Sequence, residues 1–285
     1  MFRTISVIGG DLRQLTLADA LEADGNRVRV YGFDKAEECS KKAESLEAAA
    51  QSDMIILPLP VSHDQISLNA PFSTETIPLE ELVVRLTPKQ LIFGGKISSQ
   101  LRERLSGITC YDYFEREELS VANAIPTAEG AIEIALSELP RTLHQSKCLV
   151  VGFGRIGKVL ADRLRAFGAY VTVSARKYSD FAWIDAYGYQ SVPTGAIREC
   201  AGEFDVIFNT VPHLLFGHDV LARLDPGCLL IDLASKPGGV DFTAAKELGV
   251  KVIWALSLPG KTAPITSGEM IKKTITNIMK EMEES

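Results

Sequence analysis

The sequence predicts an α/β protein built from two Rossmann-like domains, each a doubly wound parallel sheet, with a cleft between them. Short apolar segments alternate with segments of helical periodicity along most of the chain, which is typical of parallel sheets covered by helices. A glycine turn follows the first apolar segment of each half, at Gly9-Gly10-Asp11 and at Gly152-Phe153-Gly154. The length of 285 residues also favours two domains over one.

The domain boundaries follow from this repeated pattern. We expect an N-terminal Rossmann-like substrate or partner domain over residues 1–125 and an interdomain helix over 126–145. An NAD(P)-binding Rossmann domain follows over 146–265. A last helix over 266–285 is expected to return to the N-terminal domain, so that the cleft can open about a hinge.

Composition excludes several classes of function. The net charge of −7 and the absence of a basic run argue against nucleic-acid binding. No leader and no apolar run of about 18 residues is present, so we expect a cytoplasmic chain without a membrane segment. The five cysteines form no CxxC pair and predict a reducing compartment, and the four histidines lack the spacing of metal ligands.

The N-terminal half begins with a strand over residues 4–8, a helix that ends at Gly25 and a strand over 28–31. Asp11 places an acid where a phosphate would sit, so this turn is expected to face a substrate rather than a dinucleotide. Further helices are predicted over 36–50, 79–86 and 98–105, and further strands over 54–57, 91–93 and 108–111.

The second half opens with a helix from Thr127, a residue suited to the N-cap, to about residue 144. The apolar strand 148–151 then leads into Gly152, Gly154 and Gly157 in GxGxxG spacing. The first glycine allows the tight turn, the second lets a pyrophosphate approach the backbone, and the third lets helix and strand pack closely. With the helix start at Arg155 and Ile156, this turn predicts a dinucleotide site.

The end of the next strand predicts the cofactor. NAD-binding domains place an acid there to bind the ribose 2′-hydroxyl, but this chain has Ser174, 22 residues after Gly152, followed by Arg176 and Lys177. A hydroxyl and two cations would attract a 2′-phosphate, so we predict NADP, with NAD as the alternative. The other interpretation of Arg176 and Lys177 is a solvated surface loop.

The remaining elements include strands over 204–208, 229–231 and 251–254, and helices over 217–224 and 242–248. The turn after the first of these strands carries Thr210 and Pro212, which we expect beside the cofactor. In the last helix, Thr266 and Glu269 have the spacing of a capping box, and apolar residues from Ile271 onward follow one face.

Several motifs together resemble one family over essentially the full length. They are Gly9-Gly10-Asp11 with Arg13, NAIPTAEGAI, VGFGRIGKVLADRLRAFGA, NTVP, IDLASKPGGVDF and LPGKTAPITSGEMI. The set is similar to the A subunit of dipicolinate synthase. The resemblance implies a sporulation enzyme of the mother-cell cytoplasm that oxidises a dihydrodipicolinate-type ring to dipicolinate with NADP. It also implies the flavoprotein-like B subunit of dipicolinate synthase as partner, and homo-oligomerisation is left open.

A small dicarboxylate substrate requires cations or N–H groups for its two carboxylates. The candidates are Arg13, Lys96, Lys236 and Lys261, each beside a glycine or proline turn, with Thr127 at the start of the interdomain helix. Any one of these cations alone has the alternative interpretation of a solvated side chain.

Oxidation to an aromatic ring also requires a base for one proton. His213 is our first candidate because it follows a strand end near the expected nicotinamide position, and Glu129 is the second. A surface-loop histidine is the alternative for His213. Two other functions stay open: an NADP-dependent 2-oxo or 2-hydroxy acid dehydrogenase, and a regulatory subunit that binds NADP without turnover.

Overall fold

The structure is a computed structural model that describes residues 4–36 and 41–284. The chain forms two compact units: unit 1 comprises Met1–Asn123 and Ala263–Ser285, and unit 2 comprises Ala124–Thr262. In the described residues, unit 1 holds a sheet of five strands and unit 2 a sheet of six, and all recorded strand pairs are parallel. The predicted class, two α/β domains with doubly wound parallel sheets, is confirmed.

The strands lie where apolar segments meet glycine or polar turns. They are β1 (Thr4–Ile8), β2 (Arg27–Tyr31), β3 (Met54–Ile56), β4 (Leu91–Gly94), β5 (Thr109–Asp112), β6 (Lys147–Val151), β7 (Tyr170–Ala175), β8 (Gln190–Pro193), β9 (Val206–Asn209), β10 (Leu229–Asp232) and β11 (Lys251–Trp254).

The helices connect these strands and cover the sheets. They are α1 (Leu12–Ala23), α2 (Leu46–Ala50), α3 (Leu79–Val83), α4 (Ser99–Arg104), α5 (Glu117–Glu138), α6 (Arg155–Ala166), α7 (Tyr178–Ala186), α8 (Ile197–Cys200), α9 (His218–Leu221), α10 (Phe242–Glu247), α11 (Leu258–Thr262) and α12 (Pro264–Glu284). Short 3₁₀ helices cover Tyr113–Glu115, Thr194–Ala196 and Ala201–Glu203.

The sheet of unit 1 has the strand order β2-β1-β3-β4-β5. Helices α1 and α12 cover one face, where Leu17, Ile271 and Ile275 are buried, and α2, α3 and α4 cover the other. The strand order reverses between β1 and β3, and ligands of open parallel sheets bind beyond the carboxyl ends of the strands at such a point. The loops after β1 and β3 are therefore the candidate binding region of unit 1.

The sheet of unit 2 has the order β11-β10-β9-β6-β7-β8. Its two faces are covered by separate apolar clusters, one with Leu160, Leu164 and Ile184 from α6 and α7, the other with residues of α8, α9 and α10. Here the strand order reverses between β6 and β9. The glycine turn after β6 and the loop after β9 are therefore neighbours at the edge where a nucleotide is expected.

The stripe predicted for the last helix is confirmed, because Ile271, Ile275 and Ile278 are buried against unit 1. Its predicted capping box is wrong: α12 begins at Pro264, so Thr266 lies inside the first turn. Proline suits the first helical position, because its missing N–H has no partner there in any case.

Helix α5 begins ten residues before Thr127, at Glu117, and ends at Glu138, so the predicted start and end are wrong. Pro126 lies inside the helix, where it removes one backbone hydrogen bond. The upstream turns bury Leu119 completely and Ala124 almost completely, and this burial offsets the loss. Thr127 is consequently a mid-helix residue and not an N-cap.

Two further elements differ from the prediction. Helix α2 is only Leu46–Ala50 with Ser45 as its N-cap, and residues 37–40 of the predicted helix 36–50 lie outside the described residues. Strand β8 was not predicted; it is the edge strand of its sheet and ends in Pro193, which an edge position tolerates. Over residues 4–36 and 41–284, no helix combines the length and the apolar character that crossing a membrane requires.

Candidate functional site

The turn after β6 has the geometry that the GxGxxG motif requires. Gly152 has a φ of 97°, and a Cβ there would lie 2.6 Å from Thr210 Oγ1. A Cβ at Gly157 would lie 2.0 Å from the Gly152 carbonyl oxygen. The first glycine therefore allows the turn beside Thr210, and the third allows α6 to pack against the turn.

The middle glycine leaves the start of α6 open. Gly154 is the N-cap, no side-chain oxygen accepts a hydrogen bond from the first turn, and a Cβ at Gly154 would meet no heavy atom within 4 Å. The backbone N–H groups of a first turn, with the positive end of the helix dipole, bind phosphate well. Arg155 is exposed at the first helical position, whereas Ile156 is partly buried against the core.

The corresponding turn in unit 1 is closed by the chain itself. Gly9 N–H donates to the Tyr31 carbonyl (2.8 Å), and Gly10 N–H donates to the Asn69 carbonyl (2.8 Å). The Asp11 carboxylate caps α1 by accepting from Arg13 N–H (3.0 Å), and Gln14 Oε1 accepts from Asp11 N–H (3.1 Å). Because these N–H groups already have partners, unit 1 does not offer a phosphate site here, in agreement with the prediction from Asp11.

The polar residues at the end of β7, from which the cofactor is predicted, differ in exposure. Ser174 is fully buried, and its hydroxyl lies 2.8 Å from Thr194 Oγ1, so this hydroxyl already has a partner within the protein. The bond to Thr194 depends on strand β8, which the sequence did not reveal. Arg176 and Lys177 are both exposed directly after β7, and Lys177 is the N-cap of α7 without a side-chain cap. These two cations remain candidates for the 2′-phosphate.

The loop after β9 lies against the glycine turn. Thr210 donates to the Val151 carbonyl through both its N–H (3.0 Å) and its hydroxyl (2.8 Å). Pro212 and His213 follow and are exposed. His213 is thus in the loop that follows β9, at the carboxyl edge of the sheet, and its role as the base stays a prediction.

Sequence reasoning missed a buried carboxylate that holds this edge together. Asp232 is fully buried; its Oδ1 accepts from Asn209 Nδ2 (2.8 Å) and Ala234 N–H (3.1 Å), and its Oδ2 accepts from Gly239 N–H (2.8 Å). It therefore joins the ends of β9 and β10 to the loop that carries Lys236, which is exposed. The signal in the sequence was that Asn209 and Asp232 each directly follow an apolar strand segment; the structure shows that these two strands pair in register.

Glu129, the second candidate base, does not lie at that edge. It projects from α5 opposite Arg163 (Oε1 to Nε, 3.7 Å), along an exposed groove lined also by Leu136 and Phe167. Arg163 follows the start of α6 by eight residues, about 12 Å along the helix axis. Glu129 therefore lies near the end of α6 that is opposite the glycine turn, which makes His213 the stronger candidate base.

The predicted substrate cations differ in how they are held. In unit 1, Lys96 is exposed with a φ of 58°, and its N–H donates to the buried carboxylate of Asp112 (2.9 Å), which fixes the loop after β4. In unit 2, Lys236 precedes a cis proline, and Lys261 is exposed in α11. Thr127 is half-buried in the middle of α5.

Arg13 is held differently from the lysines, because its side chain is only 9% exposed. Its Nε and Nη2 donate to the carboxylate of Asp11 (2.8–3.1 Å), and Nη2 also donates to the Leu59 carbonyl (2.8 Å). It thus bridges the loops after β1 and β3 across the point where the strand order reverses. Beside it, burial raises the pKa of Tyr113 well above its usual range, and its hydroxyl donates to the Leu57 carbonyl (2.8 Å).

The fold and the glycine turn define the class of protein: an oxidoreductase of the dehydrogenase type, with a nicotinamide nucleotide as cofactor. Residues 125–238 match the model of the NAD-binding domain of D-isomer-specific 2-hydroxyacid dehydrogenases. Residues 4–114 match the model of the N-terminal domain of the dipicolinate synthase A subunit.

Comparison over the whole length identifies the family. The chain is 32% identical to the A subunit of dipicolinate synthase from Bacillus subtilis (strain 168), over 98% of this chain and 96% of that protein. It superposes on the crystal structure of the A subunit from Bacillus halodurans with a TM-score of 0.87 and 31% identity, covering 97% of both chains. A transhydrogenase from Sinorhizobium meliloti, at 15% identity over 98% of this chain and 94% of that chain and a TM-score of 0.71, shares the fold. The chain belongs to the family of dipicolinate synthase A subunits.

Proposed function

We propose that this protein oxidises a dihydrodipicolinate-type precursor to dipicolinate with NADP, during sporulation and together with a second, flavoprotein-like subunit. The observation that carries the proposal is the open first turn of α6 at Gly154, followed in the next βα loop by two exposed cations, Arg176 and Lys177, with no acid at the strand end. The membership of the family supports the substrate and the partner. The cytoplasm of the mother cell is the location that this role implies.

The proposed chemistry requires a hydride acceptor, a base and cations for the substrate carboxylates. When bound, NADP accepts a hydride from the ring, and a base takes one proton. His213 is the proposed base, because it is exposed in the loop beside the nucleotide turn and a neutral imidazole can accept a proton. Arg13 and Lys96 in unit 1, and Lys236 and Lys261 in unit 2, are the candidate carboxylate-binding cations of each unit.

The positive charges of Arg176 and Lys177 support a preference for NADP over NAD. A 2′-phosphate adds negative charge to the ribose, and a guanidinium binds phosphate through paired hydrogen bonds. We expect Arg176→Ala to weaken NADP binding about ten- to a hundredfold and leave NAD binding unchanged, since one charge-assisted hydrogen bond contributes about 1.5–3 kcal/mol. Arg223→Ala, another exposed arginine of unit 2, is the matched control. Titration calorimetry with both nucleotides measures the difference.

The activity test uses the purified chain with its partner subunit. Dihydrodipicolinate and NADP are added, and dipicolinate and NADPH are measured; His213→Ala is expected to lower kcat about a hundredfold while NADP still binds. Equal affinity of the wild type for NADP and NAD would contradict the proposed preference for NADP. Absence of dipicolinate formation with both subunits present would remove the proposed reaction.

A further inference from the structure

Gln14 is a buried residue that has a hydrogen-bond partner for only one end of its side-chain amide. It is fully buried, and its Nε2 is the one buried side-chain nitrogen or oxygen without a hydrogen-bond partner in residues 4–36 and 41–284. The Tyr113 hydroxyl lies beside Gln14 and donates to the Leu57 carbonyl, but Gln14 Nε2 does not make a hydrogen bond of normal geometry with it. Gln14 Oε1 completes the capping box of α1 with Asp11, whereas a buried donor without an acceptor, such as Nε2, is unfavourable.

A second glutamine of unit 1 shows the contrast. Gln90 is 6% exposed, and its Nε2 donates to the carbonyls of Ala50 (2.6 Å) and Ser52 (2.7 Å). Its Oε1 accepts from Thr87 N–H (2.7 Å). Gln90 thus has partners for both ends of its amide and joins loops at the amino edge of the sheet. Its role is structural, whereas Gln14 is next to Arg13 at the carboxyl edge.

The Oε1 of Gln14 supports the residue that holds Arg13. It accepts from Asp11 N–H (3.1 Å), and the Asp11 carboxylate in turn accepts from Arg13 N–H, Nε and Nη2. Contact with Gly10 is close, since a Cβ there would lie 2.5 Å from Gln14 Oε1. Gln14 therefore sets the position of the turn, and the turn sets the position of the guanidinium.

This arrangement leaves one part of Arg13 for a ligand. Its Nε and Nη2 are bonded to Asp11 and Leu59, while Nη1 has no partner in the described residues and is not fully buried. We propose that Gln14 is a positioning residue for substrate recognition, which acts through Asp11 to aim Arg13 Nη1 at one carboxylate of the diacid. The inference rests on the proposed function, because it names the residue that orients one of its carboxylate partners.

The experiment measures binding of pyridine-2,6-dicarboxylate to the full chain by titration calorimetry, alone and with the partner subunit. Gln14→Met keeps the size and removes the amide, and it is expected to weaken binding about tenfold while NADP binding stays unchanged. Gln90→Met is the matched control and is expected to lower the melting temperature without changing diacid binding. In turnover, Gln14→Met is expected to raise KM for the diacid precursor more than it lowers kcat.

A double-mutant cycle separates positioning from packing. If Gln14 acts through Arg13, Gln14→Met changes binding less than twofold in an Arg13→Ala background, or in Arg13→Lys if the alanine variant does not fold. Equal weakening in both backgrounds, unchanged binding in Gln14→Met, or equal weakening by Gln90→Met overturns this inference alone. Failure of the wild type to bind the diacid under both conditions overturns the proposed function as well.

Discussion

Asp11 and Gly154 occupy the same place in the two units, the N-cap of the helix after the first strand. The residue at this position decides whether the turn can bind a phosphate. The Asp11 carboxylate accepts a hydrogen bond from the first turn of α1 and ties down Arg13. Gly154 has no side chain and leaves the first turn of α6 without a side-chain cap. A negative capping group and a phosphate compete for the same N–H groups, so only the second turn is suited to a dinucleotide.

Gly154→Asp is therefore expected to block nucleotide binding without harming the fold. The φ of −82° at Gly154 suits any residue, and an aspartate N-cap favours a helix. We expect the NADP dissociation constant to rise more than about a hundredfold, with an unchanged or higher melting temperature. Nucleotide titration and thermal unfolding of the same samples give both values.

Gly157→Ala is the control, and in contrast to Gly154→Asp it is expected to lower the stability of the fold. Its Cβ would overlap the Gly152 carbonyl oxygen, so the backbone must shift and the free energy of unfolding should fall by about 2–4 kcal/mol. If Gly154→Asp bound NADP like the wild type, the first turn of α6 would not be the phosphate site.

Helices α1 and α12 pack closely because a glycine lies between them. A Cβ at Gly268 would lie 2.5 Å from the Arg13 carbonyl oxygen and 2.8 Å from Thr16 Cβ. The contact brings the last helix of the chain against the helix that carries Arg13. Helix α12 also buries Ile271, Ile275 and Ile278. Its packing therefore stabilises the face of the unit 1 sheet that α1 covers.

Gly268→Val is expected to force these helices apart. Overpacking of this kind lowers the free energy of unfolding by about 1–3 kcal/mol, because the neighbouring atoms here include backbone that cannot rotate away. The change should appear as a lower urea midpoint. Lys280→Ala, an exposed change on the same helix, is expected to leave the midpoint unchanged. A wild-type midpoint for Gly268→Val would show that α12 does not need the close contact.

Each unit has its own sheet and its own apolar clusters. In unit 2, Cys148 and Cys228 lie in the clusters on opposite faces of the sheet. Burial raises the pKa of each thiol to about 12. Between the unfolded pKa of about 8.5 and this value, the folded chain keeps protons that the unfolded chain loses.

The stability of unit 2 is consequently expected to fall as the pH rises above the unfolded thiol pKa. Each thiol contributes a loss of about 1.4 kcal/mol per pH unit in that range, and no loss below about pH 8. Urea unfolding between about pH 8 and pH 10 should show a flatter alkaline decline for Cys148→Ala/Cys228→Ala than for the wild type. Equal slopes in the two proteins would contradict the burial of the thiols.

The sequence by itself determined the fold class, the dinucleotide turn and the apolar stripe of α12. These features are encoded locally: the period of apolar residues sets strand or helix, and Gly152 and Gly157 stand where a Cβ does not fit. The doubt about a phosphate site at Asp11 was also local, because the capping carboxylate lies in the turn itself.

Only the tertiary structure decided which polar groups are available. The Ser174 hydroxyl is bonded to Thr194, Arg13 is tied to Leu59, and Glu129 faces Arg163 instead of the nucleotide turn. The start of α5 ten residues before Thr127 was settled by the burial of Leu119. In each case the partner is distant in sequence or the helix is stabilised by packing, and local patterns carry no information about contacts of that kind.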